Sequence, residues 1–163
     1  MSRAAEPFEP GGIDWHPVSP RLRLARHVVL ALSLGLPTAL LTVGAAVWGG
    51  WAWLAPAALA VVTGWAAVLV PRQVRAIGYA EREADLLIRK GVMFRSLVVV
   101  PYGRMQFVDV QAGPLDRWGG IARVQLHTAS PSSDAAIPGL SPAEADRLRD
   151  RLSALGEARL AGL

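Results

Sequence analysis

The chain has 163 residues and no cysteine, which excludes disulfide bonds and thiolate chemistry. More than half of its residues, 52%, are hydrophobic, and one long apolar run is followed by about 90 residues, which suits a small soluble domain. The net charge of +4 is explained by basic residues beside membrane spans, since nucleic-acid binding would need a basic groove with stacking aromatics.

The first segment, 1–20, is predicted to be flexible and cytoplasmic, because it is rich in proline, glycine and charge up to residue 12. Trp15 suits a membrane interface. Ser19 as N-cap, with Pro20 at the first helical position, predicts that a helix starts here. That helix carries three basic residues into the membrane surface: Arg21, Arg23 and Arg26.

The run 28–70 contains 43 residues without Asp, Glu, Lys, Arg or His. One helix of that length would reach roughly 65 Å at about 1.5 Å per residue, whereas a bilayer core is only about 30 Å thick. A Gly-Gly pair at 49–50 divides the run, so we predict a transmembrane hairpin over 21–71 with spans at about 28–47 and 51–70. The alternative is a buried helical hairpin of a soluble protein, which so long an uncharged run disfavours.

Residues around the hairpin predict its orientation. Three tryptophans at the turn form an aromatic belt: Trp48, Trp51 and Trp53. Basic residues flank both outer ends of the hairpin, and the turn has none; they are Arg21, Arg23, Arg26, Arg72 and Arg75. We therefore expect a multi-pass protein of the cell membrane with both termini cytoplasmic. Within the first span, Pro37 predicts a kink whose freed carbonyl is satisfied by nearby hydroxyl groups.

Beyond the hairpin, the sequence changes to short segments with strand patterns. They lie at 77–80, 85–91, 92–100, 105–110, 121–128 and 135–138. In the fifth segment, Ala122, Val124 and Leu126 fall on one face of the predicted strand. The intervening stretch 111–120 predicts a short helical turn packed by Leu115 and Trp118.

The end of the chain is predicted to be helical over about 142–155. Ser141 and Glu144 form a capping-box pattern with Pro142 at the first helical position. Four apolar residues follow at helical spacing: Ala145, Leu148, Leu152 and Leu155. Antiparallel strands followed by one amphipathic helix predict a domain over 72–163 in which the helix plugs a β-barrel or sandwich.

Five motifs that follow the two spans, taken in this order, carry a family resemblance. They are Gly-Val-Met-Phe-Arg-Ser at 91–96, Val-Val-Val-Pro-Tyr-Gly-Arg-Met-Gln at 98–106, Val-Asp-Val-Gln-Ala-Gly-Pro-Leu-Asp-Arg at 108–117, Gly-Ile-Ala-Arg-Val-Gln-Leu-His-Thr-Ala at 120–129 and Ile-Pro-Gly-Leu-Ser-Pro-Ala-Glu-Ala at 137–145. Over residues 20–155 the chain resembles the membrane-anchored bacterial pleckstrin-homology (PH-like, YdbS-like) proteins.

The resemblance implies an α+β membrane protein. A transmembrane hairpin would be followed by a PH-like domain, a bent seven-stranded antiparallel β-barrel or sandwich with a C-terminal capping helix. It also implies no enzymatic activity. Phosphoinositide-binding PH domains carry lysine and arginine in the loop between their first two strands. We expect no such recognition here, since that loop, taken as 81–85, has three acids against one base.

The sequence contains no pattern typical of a catalytic, cofactor or metal site. His127 is followed by Ser130, Ser132, Ser133 and Asp134, but no Gly-x-Ser-x-Gly elbow accompanies them, which favours a strand end and a serine-rich turn. The three histidines lie far apart, and no phosphate-binding loop is present.

These observations predict a non-enzymatic membrane protein that presents its PH-like domain as a subunit or scaffold of a membrane protein assembly. Its predicted partners are the lipid bilayer and another membrane protein, possibly a larger PH-like one, or a second copy of itself, with no nucleic acid. The alternative is an anionic-lipid-sensing module. Its candidate headgroup contacts are Arg21, Arg23, Arg26, Arg72, Arg75 and Arg89.

Overall fold

The computed structural model describes residues 13–129 and 135–160, so the predicted flexible residues 1–12 lie outside it. The chain forms two compact units. One is the helical segment Arg23–Arg72, and the other joins the chain up to Leu22 with the chain from Gln73 onward. The second unit is therefore built from two separate stretches of sequence.

The helical unit has two long apolar helices. The first comprises α1 (Arg21–Leu30), a π-helical turn (Ala31–Gly35) and α2 (Leu36–Trp48); the second comprises a 3₁₀ turn (Gly50–Trp53) and α3 (Leu54–Arg75). At 28 and 26 residues, both are long and apolar enough to cross a membrane. Gly49 and Gly50 join them with φ of 64° and 59°, which only glycine adopts readily.

Prolines affect the two helices differently. The π-helical turn comes directly before Pro37, where the sequence predicts a kink, and the Thr38 hydroxyl donates a hydrogen bond of 2.6 Å to the Leu34 carbonyl. The second helix continues through Pro71 to Arg75, whereas the predicted span ends at residue 70. Ser19 caps the first helix as expected, since its Oγ accepts a 3.3 Å bond from the Arg21 amide.

The second unit contains seven strands among the described residues, arranged in two antiparallel sheets. They are β1 (His16–Pro17), β2 (Gly78–Glu81), β3 (Asp85–Lys90), β4 (Ser96–Pro101), β5 (Met105–Gln111), β6 (Ala122–Thr128) and β7 (Ala135–Leu140). The first sheet has the order β1-β2-β3-β4 and the second β5-β6-β7. The predicted alternation in β6 is confirmed, because Ala122, Val124 and Leu126 are buried.

The strand β1 lies inside segment 1–20, which was predicted to be flexible. His16 pairs with Tyr79 and Pro17 with Gly78, and the Ser19 amide donates to the Gly139 carbonyl at 2.8 Å. The segment between the first two strands is consequently the whole helical hairpin. The assignment of 81–85 to that position was wrong, since Glu81 ends β2 and Asp85 begins β3.

Two shorter segments also differ from their predictions. Residues 92–95 belong to the turn between β3 and β4 and not to a strand, because the pairing of Lys90 with Ser96 leaves them to reverse the chain. The short helix α4 (Pro114–Trp118) forms where a helical turn is predicted, but the Trp118 side chain is 70% exposed and does not pack.

The C-terminal helix α5 (Pro142–Leu160) covers the sheets and packs against β5 and β6. Its stripe is buried as predicted at Ala145, Leu148 and Leu152, while Leu155 is half-buried. The sheets contribute further fully buried side chains to this core: Leu86, Ile88, Val100, Val124, Leu126 and Ile137. Burial of these apolar faces is what holds the helix on the sheets.

Candidate interaction surfaces

The outer edge of the first sheet is an apolar strand. Among the described residues β4 pairs only with β3, so its other side has no strand beside it. Leu97 and Val98 are half-buried and Val99 is 47% exposed. Exposed edges are usually protected by a charge, a proline or a bulge, and the centre of β4 has none of these. This edge can therefore accept a strand from another chain.

The turn between β3 and β4 carries the most exposed apolar side chains of this unit. Met93 is 79% and Phe94 85% exposed, and Val92 beside them is exposed too. Two exposed basic residues, Lys90 and Arg95, flank the turn. The turn closes at Gly91, whose φ of 100° favours glycine. Sequence analysis did not identify this exposed surface, because the predicted strand over 92–100 assigned Val92, Met93 and Phe94 to a sheet.

A second exposed aromatic side chain, Trp118, lies in the connection between β5 and β6. This connection contacts Arg21, which belongs to the same compact unit, since a Cβ at Gly120 would lie only 2.9 Å from Arg21 Nη1. Close by in sequence, the Asp116 carboxylate accepts a 3.2 Å bond from the Gly113 amide and thereby fixes the local turn. Trp118 itself remains exposed next to Arg117.

The basic and aromatic residues predicted to contact the membrane lie in different parts of the structure: the hairpin turn, the outer helix ends and the first sheet. Trp48, Trp51 and Trp53 are exposed around the glycine turn of the hairpin. The exposed cations stand at the outer helix ends: Arg21, Arg72 and Arg75. The half-buried ones include Arg23 and Arg26 on α1, and Arg89, whose guanidinium lies 4.6 Å over the Trp15 ring in a cation–π contact.

An ion-pair cluster fastens α5 to β2. Glu81, whose side chain is only 8% exposed, lies 2.7 Å from Arg147 and 2.8 Å from Arg151. Arg147 also pairs with Glu144 at 2.7 Å, and the Tyr79 hydroxyl donates to Glu144 at 2.5 Å. Burial raises the pKa of Tyr79 and so keeps its hydroxyl as a donor. Sequence analysis missed this cluster, because its members come from segments more than sixty residues apart.

The cluster predicts how stability depends on pH. Hydrogen bonds from Arg147 and Tyr79 lower the pKa of the Glu144 carboxyl from 4.5 to about 2. The carboxylate therefore contributes stability above about pH 5, and this contribution is lost as the pH falls through about 2. Since the side chain is 34% exposed, solvent screening keeps it to about 1 kcal/mol.

We expect the free energy of unfolding to fall more steeply below pH 5 in the natural chain than in Glu144→Gln. Hydrogen exchange of β2 and α5 amides, corrected for the intrinsic rate at each pH, measures this difference. The matched control is Asp150→Asn, which removes an exposed carboxylate of the same helix and should keep the natural slope. Equal slopes in all three chains would contradict the role given to Glu144.

A shallow cleft of about 350 Å³ adjoins this cluster. It is lined by His16, Pro17, Ser19, Tyr79, Leu140, Ser141 and Glu144. Its polar groups are largely engaged with one another. The Ser141 hydroxyl accepts a hydrogen bond of 3.3 Å from the Glu144 amide, and this bond is one of the two that make up the predicted capping box. The Glu144 side chain is directed to Tyr79 and Arg147 and does not complete the box.

In the part of the chain that the structure describes, no group of three or more His, Asp or Glu side chains could hold a metal ion. His127 stacks on Phe107 with ring centroids 4.2 Å apart. Its sequence neighbours Ser130, Ser132, Ser133 and Asp134 lie outside the described residues. The candidate functional features of the described residues are therefore surfaces: the β4 edge, the β3–β4 turn, Trp118 and the basic residues at the helix ends.

Two apolar helices joined to a two-sheet domain with a C-terminal helix define a transmembrane protein with a PH-like domain. The bacterial PH domain family matches residues 28–156, and the chain belongs to that family. UPF0699 transmembrane protein YdbS of Bacillus subtilis (strain 168) is 39% identical over 77 residues. These cover 47% of each protein, so the matched part spans about half the length of that relative. No solved structure matches the chain.

Proposed function

We propose that this protein is a non-enzymatic subunit of a membrane protein assembly in the cell membrane. The hairpin would anchor it as a multi-pass protein with both termini in the cytoplasm, and the PH-like domain would bind the partner. The basic residues at the outer helix ends support this orientation: Arg21, Arg23, Arg26, Arg72 and Arg75. The partner would be another membrane protein, such as a larger PH-like one, or a second copy of this chain.

The observation that carries the proposal is the apolar edge strand β4. A strand from the partner would pair with its backbone and cover Leu97, Val98 and Val99. These three central positions are uncharged, and the nearest cations in sequence, Lys90 and Arg95, lie before the strand begins. Such an edge is a liability in a free domain, and a bound strand removes it.

The test is purification of the tagged full-length chain from its own membranes in mild detergent, with mass spectrometry of the proteins that accompany it. We expect one membrane protein in stoichiometric amount, or a second copy of the chain. In Val99→Lys, a charge at the edge should reduce this recovery by on the order of tenfold. Ser153→Lys, on the exposed face of α5, is the matched control and should retain the partner. A monomer without a partner, or unchanged recovery with Val99→Lys, would contradict the proposal.

An anionic-lipid-sensing module is the second candidate. The exposed cations Arg21, Arg72 and Arg75 favour it, since each could contribute about 1 kcal/mol at an anionic surface. Its distinguishing property is dependence on headgroup charge and on salt. The full chain is needed for this comparison, because a fragment beginning at residue 72 would lack β1.

A further inference from the structure

One end of the first sheet is the end at which the chain connects to the two helices. β1 finishes at Pro17, shortly before α1, and β2 begins at Gly78, shortly after α3. These two residues pair with each other, and Gly78 also pairs with Arg89. The β3–β4 turn that follows Arg89 is therefore at this same end. The β2–β3 turn lies at the opposite end, where Arg159 of α5 donates to the Glu83 carbonyl.

The exposed apolar tips of this unit are found at the end that connects to the helices. Met93 and Phe94 protrude from the β3–β4 turn, each with more than three-quarters of its surface exposed. Trp118 protrudes from the β5–β6 connection, which contacts Arg21 through Gly120. Two turns from different sheets thus present large apolar side chains at the end of this unit from which the chain continues into the membrane anchor.

We propose that the 91–95 turn and Trp118 insert into the interfacial layer of the membrane that holds the helices. Both connections between the sheet and the helices are only a few residues long, so this end of the domain is the one joined directly to the membrane anchor. This docking does not depend on the protein partner proposed above.

The chemistry of the 91–95 turn matches a lipid surface better than a protein groove. Its apolar tip would enter the boundary between headgroups and acyl chains, while Lys90 and Arg95 would remain at the phosphate level. No acidic residue occurs from Leu86 to Val108, so neither the turn nor the strand residues next to it carry a charge that would oppose an anionic surface. Trp118 adds an indole, the side chain most favoured in the headgroup layer.

The absence of cysteine makes a direct test possible in the full-length chain. Single-cysteine variants Met93→Cys, Phe94→Cys and Trp118→Cys would be labelled with an environment-sensitive fluorophore and reconstituted into vesicles that contain no other protein. The vesicles would be phosphatidylcholine, with or without phosphatidylglycerol, and would include a lipid with a nitroxide quencher near its headgroup. Glu83→Cys is the matched control, because it places the same label on the turn at the other end of the same sheet.

We expect blue-shifted emission at 93, 94 and 118, with nitroxide quenching at least about twofold stronger than at 83, because inserted groups reach roughly 5–10 Å into the boundary. Quenching should occur on neutral vesicles and increase with phosphatidylglycerol. Quenching at 93 and 94 no stronger than at 83 would overturn the proposal. A blue shift without lipid quenching would also overturn it, since a second copy of the chain would then cover the turn. Because partner proteins are absent, neither result bears on the assembly proposed above.

Discussion

Replacing Leu148 by alanine is expected to lower the free energy of unfolding of the PH-like domain by about 2–5 kcal/mol. Leu148 is fully buried on α5, the helix that packs against β5 and β6. Truncation removes apolar contacts and leaves a cavity between helix and sheets, which the close-packed surroundings fill only partly. Loss of this packing would loosen the element that covers both sheets.

The change can be measured by pulse proteolysis of the full-length chain in detergent over a series of urea concentrations. With a urea dependence of about 2 kcal/mol per molar, the midpoint should fall by about 1–2.5 M. Leu155→Ala is the matched control: it removes the same atoms from the same stripe at a half-buried position and should cost about half as much or less. Equal shifts for the two variants would show that α5 is not buried as described.

Replacing Gly91 by alanine is expected to destabilise the β3–β4 hairpin by about 1–3 kcal/mol or more. A Cβ at this position would lie 1.9 Å from the Phe94 carbonyl oxygen, far inside van der Waals contact. The backbone also has a φ of 100°, which disfavours any side chain. The turn must rebuild, so Met93 and Phe94 would lose their present positions.

Trypsin provides the measurement, because Lys90 and Arg95 flank the turn and its cleavage follows local opening. Gly91→Ala should be cut faster there than the natural chain. Gly103→Ala is the matched control, since a Cβ at Gly103 would have only an ordinary 3.9 Å contact with Arg159 and should change stability by less than about 0.5 kcal/mol. If both variants are cut at the natural rate, the conformation described for Gly91 is wrong.

The elements that the sequence predicts well are those whose own residues encode a face. The alternation in β6 and the helical spacing of Ala145, Leu148 and Leu152 place these side chains in the core, where the structure has them. The long uncharged run likewise predicts two helices with a glycine turn. For β6 and the C-terminal helix, the spacing of apolar residues along the sequence is enough to predict which side chains are buried. For the hairpin, the length of the uncharged run is enough to predict two helices.

Other features depend on contacts between distant segments. β1 has two residues, His16 and Pro17, and neither favours a strand; it exists because β2 pairs with it and because Gly139 accepts a bond from Ser19. Trp118 was expected to pack, but its side chain is exposed, whereas Leu115 of the same helix is half-buried. The ion pairs of Glu81 join β2 to α5 and have no local signal at all.

The candidate surfaces were predicted only in part. Sequence analysis anticipated basic residues near the membrane, but the patterns of single strands cannot show which sheet edge is open. It also treated Met93 and Phe94 as strand residues, since aromatic and β-branched side chains favour strands. Their exposure follows from the register, in which Lys90 pairs with Ser96 and the residues between them must turn.

The pairing of His16 with Tyr79 has a consequence for the order in which the protein folds. Joining two strands across a flexible loop of roughly sixty residues would cost on the order of 4 kcal/mol in chain entropy. Helices of similar length joined by a tight turn return the chain to the side on which it started, and this removes most of that cost. Membrane insertion would then precede completion of the first sheet, so a chain that fails to insert would leave β2 without β1 and expose that edge to cellular proteases.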